Sequence, residues 1–499
     1  MLAGCAACSG QAAASGTELR QRALQKRIDQ LAASLNSAQS QVDSLRGELD
    51  ALRLSLSDVD AAKGREGSLA RESPAAPNED ELGRLREDAA VLAAEVKQHE
   101  QTKVESESKF PVRVTGLVLF NTFVNQGVVD EIDLPTSALR RSPGESHGSV
   151  GGSMRQTWLG LEGRGPVLGA VHTSARVGLD FFGGVTGGLA SGPAGIVRLR
   201  TAAIRAETER DLFEARFDEP LISPLSPTSL ANVAQPALSW SGNLWRWAPE
   251  LRWQHSIPLG QGRTLETAVG LRDSYAADTV VDQVAGAAGP GELNRRPGLE
   301  ARVSYGSAAL SRESLDSYSG SPGMSWRVGG GGYYAKQNYG NGILINTWAL
   351  TADWQLPLQR WMRLSGEAYR GTGLGGLGGG AYRDVVQGID RLTGAKRTIG
   401  LDAAGGWVQL QADPTSRLQL NAAFGQDAGS GSELRLLTLP LPPNPLGFYA
   451  RNRAITGNLI FRPWSSVILS PEYRRIVSWP ISGSPNVANV YTLSAGYQF

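Results

Sequence analysis

The 499-residue sequence predicts an all-β transmembrane antiparallel barrel of about 16 strands with an N-terminal α-helical coiled coil. Three observations carry this prediction. A period-two alternation of apolar and polar residues recurs from about residue 110 to the C-terminus, a seven-residue period is confined to the first hundred residues, and no apolar run is long enough for a membrane-crossing helix. Runs such as Gly116 to Phe120 fall far short of the roughly 18 to 20 residues that such a helix needs. A bilayer would therefore be crossed by strands.

Composition narrows the alternatives. Lys+Arg total 49 against 48 Asp+Glu, so a net charge of +1 provides no basic field for a phosphate backbone, and nucleic acid is not expected as a partner. Twelve Trp, 12 Tyr and 11 Phe supply apolar surface for a large fold. The two cysteines, Cys5 and Cys8, sit at the start, leaving the rest without a disulfide or thiolate site. His99, His147, His172 and His255 have no ligand spacing, so neither metal nor cofactor is expected.

Residues 1–15 read as the remnant of an export signal. Leu2-Ala3-Gly4-Cys5 is like a lipobox and Ala12-x-Ala14 like a signal-peptidase site, but no basic and apolar regions precede them. The recorded start is expected to lie inside a longer signal. Over 16–60 the core positions Leu24, Ile28, Leu31, Leu35, Ala38, Val42, Leu45, Leu49, Leu52 and Leu56 alternate steps of four and three, which predicts a coiled-coil helix about 65 Å long. Such a leucine strip must oligomerise to leave water. Gly64, Gly67, Pro74 and Pro77 mark a flexible linker over 61–80. Leu82, Leu85, Ala89, Leu92 and Val96 then predict a second short coiled-coil helix over 81–105.

The barrel is predicted over 110–499. Val171, Thr173, Ala175, Val177, Leu179 and Phe181 alternate with His172, Ser174, Arg176, Gly178 and Asp180, and similar alternations recur around Leu265, Leu299 and Leu418. Sixteen strands are expected to start near Val112, Met154, Leu168, Ile196, Leu212, Glu250, Thr264, Gly298, Met324, Ile343, Trp361, Thr398, Arg417, Phe448, Ser466 and Asn489. Short gaps alternate with long ones, the outer-membrane pattern of turns on one rim and loops on the other. The alternation breaks over 308–341, where a long gap falls on the turn side and a short one on the loop side, leaving open a missed or split strand.

The last strand, with Tyr491, Leu493, Ala495, Tyr497 and Phe499 on one face, looks like the terminal signal by which outer-membrane proteins are recognised for insertion. A coil followed by a barrel of this length, with RQTWLGLEGRG at 155–165, GGYYAKQNYG at 331–340 and AYRGTGLGGLGG at 368–379, resembles DcaP-like porins. Trp158 departs from that pattern, standing where a basic residue is expected. The resemblance implies a homotrimeric, 16-stranded porin in the bacterial outer membrane, contacting outer-membrane lipid and the barrel-assembly machinery. Its coil would stand in the periplasm, and small, often anionic, solutes would pass.

Charge assigns the wall. A basic residue on the lipid face costs about 2 to 4 kcal/mol at midplane, so the charged face of each strand should look inward. The pore-lining candidates are Arg113, Arg176, Arg198, Arg200, Arg216, Arg252, Arg272, Arg302 and Arg363, with Asp180, Glu214, Asp218, Glu250, Glu266, Glu300 and Glu367 among them. Arginine rings favour anions, whereas arginines paired along the wall would be merely structural. Pro220 to Trp247, flanked by Asp218, Glu219 and Arg246, is the third outer loop, which the resemblance places folded inward across the channel.

No catalytic role is expected. Gly144-Glu145-Ser146-His147-Gly148 fits GxSxG without the strand and helix of a nucleophile elbow, and Gly371 to Gly376 fits GxGxxG without a following helix. The sequence thus reads as a porin supporting solute and ion transport. The alternative is an envelope tether whose coil spans toward peptidoglycan and whose barrel is an anchor.

Overall fold

The structure, a computed structural model, describes residues 103–104, 112–184, 195–277, 288–307, 325–438 and 449–499. The export remnant, the coiled coil over 16–60, the linker, and the second coil apart from residues 103–104 lie outside the described residues. At that point the second coil is corrected. Lys103–Val104 is a short strand paired with Val112 and Arg113. The β-branched Val104 occupies an edge left free because the last barrel strand reaches its neighbour only from Leu117 onward.

Sixteen antiparallel strands close into a barrel: β1 (Val112–Gln126), β2 (Gly148–Ser153 and Trp158–Leu168), β3 (Val171–Asp180), β4 (Arg198–Glu207), β5 (Asp211–Asp218), β6 (Ala248–Gly260), β7 (Arg263–Arg272) and β8 (Gly298–Gly306), followed by β9 (Arg327–Asn338), β10 (Leu344–Gln359), β11 (Met362–Thr372), β12 (Asp402–Thr415), β13 (Leu418–Gly429), β14 (Tyr449–Trp464), β15 (Val467–Pro480) and β16 (Asn486–Gln498). Each strand pairs with the next, and β16 returns to β1 through Leu117↔Gln498 to Gln126↔Asn489. Closure pairs every barrel strand on both sides through its membrane-crossing part, which a membrane interior demands. Beyond Gln498 the seam is finished by Phe499, whose N–H donates to Gly116 O at 3.0 Å while Gly116 N–H donates back at 2.9 Å. A Cβ on Gly116 would meet the Phe499 ring at 2.7 Å, so the glycine makes room for the terminal aromatic.

Two predicted starts shift. Met154 to Thr157 are a break within β2 rather than its beginning, and β12 begins at Asp402 rather than near Thr398. Lys396–Gly400 pairs instead with Val385–Asp390 in a small separate sheet, so its extended residues find hydrogen bonds outside the barrel. Across the irregular span 308–341 no strand is inserted in the barrel wall, since β8 pairs directly with β9 from Leu299↔Tyr334 to Gly306↔Arg327. β9 and β10 are joined by a tight turn in which Tyr339 N–H donates to Ile343 O at 3.0 Å, with Gly340, Asn341 and Gly342 at positive φ.

The alternation sorts the faces. On β1, Leu117, Leu119, Asn121, Phe123 and Asn125 are buried, while Val118, Phe120 and Val124 are exposed. On β16, Ala488, Val490 and Ser494 are buried while Tyr491, Leu493 and Tyr497 are exposed. Large apolar side chains in the open are what a lipid-facing surface requires.

Candidate permeation pathway

The third long loop, residues 219–247, folds into the barrel rather than over it. Its backbone groups are satisfied by inward side chains of distant strands. Leu221 N–H donates to Glu300 Oε2 at 2.7 Å, Leu225 N–H to Glu367 Oε1 at 2.7 Å and Thr228 N–H to Gln409 Oε1 at 2.6 Å. Asn458 Nδ2 donates to Thr228 O at 2.8 Å, and Asn452 Nδ2 to Trp240 O at 3.2 Å. The loop's hydroxyls of Ser223 and Ser229 donate to Glu367 and Glu472. Gly242, at φ +108°, passes so close to the wall that a Cβ would meet Gly406 O at 2.1 Å. The loop therefore lies along β8–β15 and touches β4 through Arg198 and Ala234 O, leaving most of β3–β7 as the wall opposite.

The motifs that resemble the porin family build this arrangement. The break in β2 turns Arg155 and Gln156 inward. Gln156 Nε2 donates to Asp133 O and Ala231 O at 3.1 and 3.0 Å, while its Oε1 accepts from Val233 N–H and Ala234 N–H at 2.8 and 3.1 Å. One amide thus clamps the first and third loops together. Arg155, fully buried, donates to Asp133 Oδ1 at 3.1 Å and Glu131 Oε1 at 3.2 Å. Trp158 fills the place where a charge was expected, packed in an apolar cluster with Leu117, Leu119, Ile460, Ile468 and the loop residues Leu230 and Val233. A wall charge is exchanged there for a loop anchor. Gly331 gives Ile222 its seat, since a Cβ would meet the isoleucine at 2.8 Å. After β11, the glycine-rich segment packs beneath Trp245, and Tyr369 Oη donates to Asp427 Oδ1 at 2.7 Å.

The charged wall is ordered in depth. Asp180 accepts from Arg198 Nε and Nη2 at 2.8 and 2.9 Å; the arginine side chain is 28 % exposed and the carboxylate 0 %. Glu214, buried, receives Arg205 and lies 3.8 Å from both Arg216 and Arg252, whose guanidiniums are more accessible than the acid. Glu250 lies 3.8 Å from Arg216 and 3.3 Å from Arg272. In most of these pairs carboxylates sit behind and guanidiniums in front. Asp218 is the exception, more exposed than Arg216 and Arg176 with which it pairs at 3.9 and 3.3 Å.

The inward face holds all fourteen of the central candidates: Arg113, Arg176, Asp180, Arg198, Arg200, Glu214, Arg216, Asp218, Glu250, Arg252, Arg272, Arg302, Arg363 and Glu367. They do not form one accessible ring. Arg176, Arg272 and Arg302 are buried; Arg302 is held by Asp353 at 2.7 Å and Arg272 by Glu250 and Glu300 at 3.3 and 3.7 Å. Glu367, Glu300 and Glu266 are buried too, the first two holding the third loop. Arg113 and Arg363 stay part-exposed toward the short-turn rim.

The accessible arginines gather where the third loop rejoins the wall. Arg198 and Arg200 approach Trp247 with guanidinium carbons 5.3 and 5.7 Å from a ring centre, and Arg246 stands 4.3 Å over Tyr275 and 5.8 Å over Trp240. Between Pro220 and Trp245 the loop carries no charged residue, so Arg246 is its cation. Beside it, burial and the neighbouring Asp218 push the Glu219 carboxyl up to about 8, leaving it neutral at pH 7. Guanidiniums held over aromatic faces keep their charge, and although Arg198 gives Nε and Nη2 to Asp180 and Nη2 also to Ala234 O, its side chain stays part-exposed.

Sequence reasoning missed Arg205. A bulge on β4 pairs Gly178 with Thr201 but Leu179 with Leu199, and this switches the inward parity from Arg198 to Ala203 and Arg205. The run Ala202-Ala203-Ile204, which breaks the alternation, was the available signal. Arg327 and Asp353, buried on β9 and β10, and Glu472 with Arg474 on β15 were also missed. The GxSxG segment lies in the first long loop, where Ser146 Oγ donates to Gly148 O at 2.8 Å and no helix follows. The glycines from Gly371 to Gly376 belong to the loop packing described above.

No protein-family model and no curated relative matches the sequence. Solved structures do. The outer membrane channel DcaP of Acinetobacter baumannii superposes with a TM-score of 0.58 at 15 % identity, covering 80 % of this chain and 100 % of that one. An anion-selective porin from Comamonas acidovorans gives a TM-score of 0.45 at 11 % identity over 78 % of this chain and 100 % of that one. The chain has the fold of the DcaP outer-membrane channel, a closed 16-stranded antiparallel barrel.

Proposed function

We propose that the protein is an outer-membrane diffusion channel for small hydrophilic solutes with a preference for anions, its path running between the third loop and the inner wall of β3–β7. The observation that carries this reading is the depth order of charge. Where Arg198, Arg205, Arg216 and Arg252 meet Asp180 and Glu214, the guanidinium is the more accessible partner. A passing solute meets the cations first, and a fixed positive lining favours anions. Arg200 and Arg246, which the aromatic contacts hold at the loop's root, add to it. Arg113 and Arg363 would line the exit on the short-turn side.

The wider reading follows from the sequence. The coil over 16–60 would stand in the periplasm and help three copies associate, and the face of Tyr491, Leu493, Ala495, Tyr497 and Phe499 would be read by the barrel-assembly machinery. Outer-membrane lipid would surround the barrel. The tether alternative predicts capture of the protein by peptidoglycan; an interior ordered in this way is not needed for an anchor, and favours the channel. The direct test is swelling of proteoliposomes in isosmotic arabinose, in a sodium dicarboxylate and in a lysine salt. Faster entry of the dicarboxylate than of the similarly sized cation is expected. Equal rates would remove the anion preference, and no swelling from folded, inserted protein would favour the tether.

A further inference from the structure

Basic residues also stand on the outside of the barrel. The outward positions of β14 and β15 near the long-loop rim carry Arg451, Arg453 and Arg475, all accessible. Strand register makes them neighbours. Arg453 opposes Val477, two residues from Arg475 on the same face, and Arg451 precedes Arg453 by two and opposes Trp479.

Among the described residues, none of the three meets a carboxylate at salt-bridge distance. Arg451 lies 3.8 Å over a Trp479 ring, and Arg453 lies 5.1 Å from the same tryptophan and 5.7 Å from Phe424. Arg453 donates to Gln426 Oε1 at 3.0 and 2.7 Å, and Arg475 donates to Asn489 Oδ1 at 3.3 Å. The outward positions of β13–β16 contain no Asp or Glu. This contrasts with the interior, where arginines such as Arg205, Arg272 and Arg302 each meet an acid within 4.0 Å.

Depth fixes what such a cluster can meet. One step further from the rim, Tyr473 and Tyr491 pair at 5.3 Å, and beyond them the outward residues become Leu459, Leu469 and Leu493. Aromatic pairs of this kind mark the membrane interface, where basic residues cost about 0 to 1 kcal/mol rather than the midplane penalty. Below the arginines, Gly457 and Ala422 leave a shallow groove beside Tyr473, open enough that a Cβ on Gly457 would meet nothing nearer than 3.9 Å. Charge above and a groove for chains below match a lipid.

We propose that Arg451, Arg453 and Arg475 bind the phosphate of a phosphorylated lipid headgroup in the outer leaflet, its acyl chains lying along Gly457 and Leu459. Guanidinium N–H groups not used by Gln426 or Asn489 supply the bidentate donors that phosphate takes. This rests on the barrel standing in the membrane with its long loops outward, and not on what the channel passes.

The experiment is native mass spectrometry of the full chain in detergent micelles. The probes are bis-phosphorylated lipid A, its fully dephosphorylated form and inorganic phosphate, applied to wild type, to Arg451→Gln/Arg453→Gln/Arg475→Gln and to a control, Arg210→Gln/Arg360→Gln, on the opposite rim. The wild type is expected to retain the phosphorylated lipid, and the triple variant to bind about 100-fold more weakly, from the loss of three interfacial cations. The control is expected to bind like wild type, and inorganic phosphate not to compete at millimolar concentration. Equal retention of both lipids by wild type would overturn the proposal without reference to any variant. So would equal weakening by the control, effective competition by inorganic phosphate, or a triple variant that retains the lipid but dissociates into monomers, which would make this face a subunit contact.

Discussion

The inner faces of β3–β8 and of β12–β14 are made from different chemistry, although one loop separates them. On β12, β13 and β14 the buried polar inward positions include the neutral Gln409, Gln411, Asn421, Asn452, Thr456 and Asn458, with Asp427, held by Tyr369 and the Gly380 and Ala381 N–H groups, as the charged exception. Of these, Gln409, Asn452 and Asn458 hydrogen-bond the third loop without placing a charge beneath it. On β3–β8 the same positions carry arginines and carboxylates, with many of the arginines nearer the lumen. The neutral polar groups of β12–β14 share the holding of the loop with the carboxylates of Glu300, Glu367 and Glu472, whereas the more accessible arginines lie on the wall left open. Desolvating a charge is costly, so a docking face is better built from amides than from unpaired ions.

The contrast can be broken most severely by removing the loop. Replacing residues 222–245 with a short Gly-Ser linker should raise single-channel conductance several-fold, because the β12–β14 face would then be solvated; unchanged conductance would place the narrow point elsewhere. Next in size is the charged face. Arg198→Gln/Arg200→Gln/Arg246→Gln should abolish the anion preference and move the zero-current potential toward the cation side, with little change in step size. A stability effect follows for a buried arginine of the same wall. Arg272→Ala would leave Glu250 and Glu300 buried without their partner, a change expected to cost about 3 to 5 kcal/mol in urea unfolding of the vesicle-inserted barrel, whereas Asn421→Ala on the neutral face should cost far less.

The smallest effect is a pH dependence. Glu219 has its pKa raised from 4.5 to about 8 by burial and by Asp218, with Arg200, Arg216 and Arg272 partly offsetting. The folded protein therefore keeps a proton that the unfolded chain releases above 4.5, so this group's contribution to stability falls as pH rises from about 4.5 to 8. In the channel, ionisation near pH 8 would place a negative charge at the loop's root. Anion preference should be level below pH 7 and decline above 8, and Glu219→Gln should abolish the decline.

Much of this was legible in the residues. Alternation gave the number of strands and the starts of most of them, with β2 and β12 misplaced, because a barrel with lipid outside and polar contents inside imposes period two on its strands. The inward side of Arg252, Arg272 and Arg302 followed from the cost of placing a cation in lipid. Parity could not foresee the β4 bulge that brings Arg205 inward, since one extra residue is a local backbone event. Nor could it tell accessible arginines from sealed ones. Arg198 and Arg272 read alike in sequence, yet Arg272 is sealed between Glu250 and Glu300, while Arg198, bound by Asp180 and by the loop carbonyl of Ala234, keeps a part-exposed side. Arg451, Arg453 and Arg475 break the inward rule, and do so where the membrane interface makes the exception cheap. Trp158 read as a missing charge and proves to be an anchor for the third loop, a long-range packing role that a local pattern does not encode.

The central claim is that guanidiniums, with their acids held behind them, face the path. It is tested most directly by recording the refolded protein in a planar bilayer under a salt gradient, reading step size and zero-current potential together. Defined steps, grouped in threes if the barrels associate as proposed, with a zero-current potential on the anion side, are the predicted result. Steps of the same size with a potential on the cation side would contradict the account of the wall.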